Sequence, residues 1–128
     1  MVRLTEIPLI SIVDDDPFFR RALEQLVRSY GFAARTFESA ESYLQSSWMK
    51  QTRCLIADVQ MPNMTGLELQ ERLAHLGLDT PIIFITAYPD EDVRTKAMKA
   101  GAVDFLHKPL DLQGQRFLDC VQKALHRA

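Results

Sequence analysis

A fivefold alternation of short apolar runs with apolar residues spaced three and four apart constrains this chain more than any other feature. Leu9 to Val13 is strand-length, and Phe19, Leu23, Leu26, Val27 and Tyr30 then fall on one helical face that Gly31 terminates. Ala33 to Phe37 reads as a second strand, and Ser39 opens a second helix that buries Tyr43 and Leu44. Cys54 to Ala57 is a third strand. Past the turn Met61-Pro62-Asn63-Met64-Thr65-Gly66, the third helix is expected to turn Leu69, Leu73 and Leu76 inward. Ile82 to Ile85 suits a central strand buried on both faces. Asp90 to Ala100 forms the fourth helix, closed by Gly101, and Asp104 to His107 the fifth strand. The last helix is expected over Leu112 to His126, carrying Phe117, Leu118, Val121 and Leu125, with Gly114 weakening its first turn. Such alternation demands right-handed crossovers and a parallel sheet covered by helices on both faces, an α/β doubly wound domain.

The ends of the apolar runs carry the chemistry. Asp14 with Asp15, Asp58, Thr86 and Lys108 each follow one of them. Because all strands of an open parallel sheet point the same way, these residues gather along one edge, where such sheets bind ligands. Carboxylates brought close repel one another, by about 1 kcal/mol per pair in water at ~4 Å and more in a shielded site. A hard divalent cation removes that cost, and Mg²⁺ suits a few carboxylates together with waters and phosphate oxygens. In such a setting Asp58 can serve as a nucleophile toward a phosphoryl group. Lys108 then supplies fixed positive charge, and Thr86 a hydroxyl donor.

Composition limits the alternatives. The 128 residues match one domain, and a formal charge of -2 gives no bulk attraction to nucleic acid. No apolar stretch is long enough to span a bilayer, and the first eight residues lack a signal peptide's apolar region, so a cytoplasmic location is expected. Cys54 and Cys120 have neither framework nor metal-ligand spacing and read as reduced structural thiols. His75, His107 and His126 form no metal set, and Arg94, Lys96 and Lys99 read as a solvated helix face.

Four segments together carry a family resemblance: Ile12-Val13-Asp14-Asp15-Asp16, Ala57-Asp58-Val59-Gln60-Met61-Pro62, Ile85-Thr86-Ala87 and Phe105-Leu106-His107-Lys108-Pro109. They resemble the signatures of response-regulator receiver domains of two-component signalling, and the match runs over nearly the whole chain. Met61-Pro-Asn-Met-Thr-Gly and Ala97-Met-Lys-Ala-Gly-Ala-Val-Asp-Phe resemble the FixJ/LuxR-type subgroup, often attached to helix-turn-helix output domains. The resemblance implies a flavodoxin-like (βα)5 sheet of order 2-1-3-4-5. It implies a single receiver domain over residues 1–128, either standing alone or cut from a longer regulator with a C-terminal output domain.

The resemblance also implies roles. Asp58 is the expected phosphoacceptor, taking its phosphoryl group from a sensor histidine kinase. Asp15 and Asp58 are expected to ligate Mg²⁺ directly (with Mn²⁺ as a substitute), Asp14 through water, and Gln60 through its backbone carbonyl. Lys108 and Thr86, with the amides of Gln60 and Ala87, bind the phosphoryl group. Phe105 is the aromatic switch coupled to Thr86, and Lys108-Pro109 is expected to be cis. The fourth helix and fifth strand are the expected output surface, open to a phosphorylation-dependent homodimer, with transcription as the controlled process. Such a domain catalyses only its own phosphoryl transfer and dephosphorylation.

Two other classes compete. A phosphorylation-independent interaction module would retain the fold, but none of the acids, Thr86 or Lys108 is lost. An aspartyl-phosphate phosphatase usually places an acid two residues after its nucleophile, where this chain has Gln60. Each residue also has an ordinary reading: Asp14 to Asp16 before Pro17 as a helix cap, Asp58 as turn chemistry, Phe105 as core.

Overall fold

The computed structural model describes residues 6–109 and 114–127. Five parallel strands run in the order β2-β1-β3-β4-β5: β1 (Leu9–Val13), β2 (Ala33–Phe37), β3 (Thr52–Asp58), β4 (Ile82–Thr86) and β5 (Asp104–His107). Between them lie α1 (Pro17–Ser29), α2 (Ala40–Leu44), α3 (Gly66–His75) and α4 (Glu91–Lys99), with α5 (Gln115–Arg127) closing the chain.

The apolar runs are two-sided, and their alternation divides the core. Ile10 and Ile12, Cys54 and Ile56, and Ile83 and Ile85 face a cluster with Leu23 and Val27 of α1 and Phe117 and Val121 of α5. Their neighbours Val13, Leu55, Ala57, Ile82 and Phe84 face Tyr43 of α2, Leu69 and Leu73 of α3 and Ala97 of α4. Side chains alternate across a strand, so continuous apolar strands require helices on both faces. Ser11 is a polar residue inside β1; its hydroxyl lies 2.7 Å from that of Thr52 and is satisfied there.

Three boundaries differ from expectation. β3 begins at Thr52, two residues early, because the Thr52 hydroxyl partners Ser11 and also donates to the Trp48 carbonyl at 2.8 Å, which lets a polar residue enter the sheet. Leu76 does not face inward. It is the cap residue after α3 and stays 58% exposed, and Leu78 takes its place against the core. The reversal is made by Gly77 at φ +75°, with Leu78 N–H donating to Leu73 and Gly77 N–H to Ala74, a Schellman ending. In α5, Gly114 precedes the helix rather than weakening its first turn, and the expected start at Leu112 lies outside the described residues.

Candidate functional site

Four strand ends deliver the site. Asp14 follows β1, Asp58 ends β3, Thr86 ends β4 and Lys108 follows β5. β1 and β3 are paired neighbours with Val13 opposite Ala57, so the residues after them emerge side by side. β4 pairs with β3 through Ile85 and Asp58, and the Lys108 amide donates to the Thr86 carbonyl at 2.8 Å. The Lys108-Pro109 peptide is cis.

Asp14, Asp15 and Asp58 each bring one carboxylate oxygen within 4.8 Å of the others. Asp14 is fully buried, Asp58 nearly so, and Asp15 exposed. The Lys108 ammonium lies 2.7 Å from Asp14 Oδ2 and 3.1 Å from Asp58 Oδ2, bridging the two buried acids. Phe19 of α1 underlies it, with Nζ 4.3 Å from the ring centroid, a contact that uses none of the ammonium's hydrogen-bond donors. Burial pulls the ammonium's pKa down, but Asp14 and Asp58 outweigh it and hold the pKa above the ordinary lysine value. Burial, then the Asp14 charge, raises the Asp58 carboxyl against the opposing pull of Lys108 and the Gln60 amide.

The remaining donors are ordered around this centre. The Gln60 amide donates to Asp58 Oδ1 at 3.2 Å. The Thr86 hydroxyl oxygen accepts from the Tyr88 amide at 3.0 Å, leaving its hydrogen to be given elsewhere. Ala87 is exposed beside it. Phe105 is 7% exposed, its ring 6.5 Å from that of Phe84. Sequence reasoning missed two of three supports, the cap at Asp16 being the ordinary reading already given for Asp14 to Asp16 before Pro17. Asp16 caps α1, accepting from the amides of Phe18 and Phe19 at 3.0 and 3.4 Å. Phe19 had been placed only as a core residue. Gly66 opens α3 where a Cβ would meet the Asp58 carbonyl oxygen at 2.5 Å, so only glycine lets this helix pack behind the acid. The signal for Gly66 was available: a glycine in the first turn of a helix otherwise made of good helix formers.

The donor set is all carboxylate oxygen, and one lysine leaves the cluster negative, so the residues fit a hard divalent cation. A doubly wound sheet with this acidic edge and facing lysine defines a signalling domain of the receiver type. The chain belongs to the response regulator receiver domain family, whose model matches residues 10–116. Members of this family are signalling domains that generally bind Mg²⁺ at an acidic pocket and partner histidine kinases. Nodulation protein W of Bradyrhizobium diazoefficiens is 44% identical over 119 residues, covering 93% of this chain and 52% of that protein. The response regulator StyR superposes with a TM-score of 0.86 at 41% identity, over 95% of this chain and 61% of its own. FixJ-N gives 0.84 at 32% identity, over 97% and 98%. The chain spans about half the length of the curated relatives it matches. Among the described residues, no helix is long and apolar enough to cross a membrane.

Proposed function

We propose that this domain is a phosphorylation-activated switch in which Asp58 accepts a phosphoryl group from a histidine kinase and the α4/β5 surface changes in response. The observation that carries the reading is the Asp58 carboxylate held in an acidic cluster with the Lys108 ammonium 3.1 Å away. An Asp58 oxygen attacks phosphorus, the phosphorus–nitrogen bond of the donor phosphohistidine breaks, and the electron pair leaves with the imidazole. Lys108, Thr86 and the amides of Gln60 and Ala87 neutralise and bind the phosphoryl oxygens. Asp14, Asp15, Asp58 and the Gln60 carbonyl would hold Mg²⁺, which supplies countercharge for the developing phosphoryl oxygens when bound. The domain's only chemistry is its own phosphorylation and dephosphorylation.

The coupling to output runs through Thr86. Its hydroxyl hydrogen is uncommitted to Tyr88, so a phosphoryl group on Asp58 draws it inward, and Phe105 beside β4 and α4 transmits the shift. The relatives' names and greater length support a receiver over residues 1–128 joined in a longer protein to an output domain that controls transcription. The test is incubation with Mg²⁺ and a small acyl phosphate donor. One hydroxylamine-labile phosphoryl group should appear in wild type and be missing in Asp58→Asn. A phosphoryl group on a histidine, or one retained in Asp58→Asn, overturns the assignment.

A further inference from the structure

At the opposite edge of the sheet, where the strands begin, lies a cavity of about 640 Å³ whose lining includes Arg28, Arg35, Trp48, Lys50, Arg53 and Glu6. Four cations and one carboxylate line it, and with Arg28 paired to Glu24 outside the cavity the balance there is still positive, in a chain whose formal charge is -2. Two of the cations are fixed. The Arg35 guanidinium stacks 4.0 Å from the centroid of Trp48, and Arg28 donates to the Ala34 carbonyl at 2.7 Å while sharing Glu24 at 3.4 Å. Lys50 and Arg53 make no side-chain hydrogen bond or ion pair among the described residues, so their donors remain open.

We propose that this cavity binds a small polyvalent phosphate ligand. Like charges held around one concavity repel, and an anion carrying two or more charges is the ligand that relieves them together. Guanidinium groups bind phosphate oxygens in pairs, and Arg35, already stacked on Trp48, loses little freedom in doing so, while Arg28 keeps Nη1 free of the bonds it makes to Glu24 and Ala34. The volume lies in the range that encloses a small molecule, whereas a nucleic-acid backbone is met by an extended basic surface, and this chain is acidic overall. Trp48 offers an aromatic edge to an organic group attached to the phosphate. The site is independent of the phosphoacceptor reading, since it shares no residue with the aspartate cluster.

Trp48 is the chain's single tryptophan, so its fluorescence reports on the cavity. The chain is titrated with inorganic pyrophosphate, and separately with a nucleoside diphosphate, by fluorescence and by calorimetry. EDTA is present, and Asp58→Asn serves as a control, so that metal-assisted binding at the acidic edge does not contribute. The expected result is saturable sub-millimolar binding to both proteins, weakened about tenfold by Lys50→Gln and by Arg53→Gln, the loss of one charged hydrogen bond. Tighter nucleoside diphosphate binding identifies an organic phosphate ester, and equal binding an inorganic one; either supports the proposal. No binding by calorimetry, wild-type affinity retained in both variants, or the same response to sodium chloride at matched ionic strength overturns it. So does duplex DNA binding in preference to pyrophosphate, which assigns the surface to nucleic acid.

Discussion

Removing the Lys108 ammonium should expose how much the site depends on compensated charge. The ammonium is 2.7 Å from Asp14 and 3.1 Å from Asp58, and the three side chains are 12%, 0% and 9% exposed. At an effective dielectric of about 20, each contact is worth roughly 5–6 kcal/mol of attraction before dehydration, which cancels much of it. Taking away one partner leaves the dehydration without the attraction, and Asp14 then faces Asp58 with nothing between them. Lys108→Met is therefore expected to lower the unfolding free energy by about 3–5 kcal/mol in EDTA at neutral pH, measured by urea denaturation. Mg²⁺ should reverse part of that loss, because a second cation can replace the countercharge. If the variant binds it a hundredfold more tightly, saturation returns about 2.7 kcal/mol relative to wild type. Asp14→Asn combined with Lys108→Met should cost less than the sum of the two single changes. A loss under about 1 kcal/mol in EDTA, or an equal loss with and without Mg²⁺, refutes the argument.

Three further outcomes are expected. Gly66→Ala places a methyl group 2.5 Å from the Asp58 carbonyl and should destabilise by about 1–3 kcal/mol in urea denaturation, while Gly31→Ala, with open space around it, should act only through its φ of +91°. Thr65→Ala breaks the capping box of α3, in which Thr65 and Glu68 satisfy each other's amides, and should cost about 1 kcal/mol. Burial, reinforced by the Asp104 carboxylate, pushes the Cys120 thiol to about 12, and burial raises Cys54 further. Both thiols should resist a disulfide reagent at pH 8 until the protein unfolds. Because they ionise first in the unfolded chain, their contribution to stability is complete below about pH 8.5 and falls as pH rises toward the folded value.

The sheet was readable because its strands are buried on both sides. Ile82 to Ile85 can satisfy no other environment, and the polar residue after each run marks where the strand leaves the core. Thr52 was not readable as strand, since its fit depends on Ser11, 41 residues away. Leu76 misled because helical spacing continues past the point where Gly77 turns the chain. The acids, Thr86 and Lys108 were legible from residue type and position at the strand ends. Their supports were not: Phe19 under the ammonium and Gly66 behind Asp58 act through close approach between elements, which spacing along one helix does not encode.

The central claim is that charge added at Asp58 is felt at α4 and β5 through Thr86. Amide hydrogen exchange over Asp90 to Lys108, with Mg²⁺ and with and without a small acyl phosphate donor, tests it most directly. The account predicts altered exchange across this segment in wild type, none in Asp58→Asn, and a much reduced change in Thr86→Ala phosphorylated to the same extent. Exchange that stays the same in phosphorylated wild type, or that changes equally in Thr86→Ala, contradicts it.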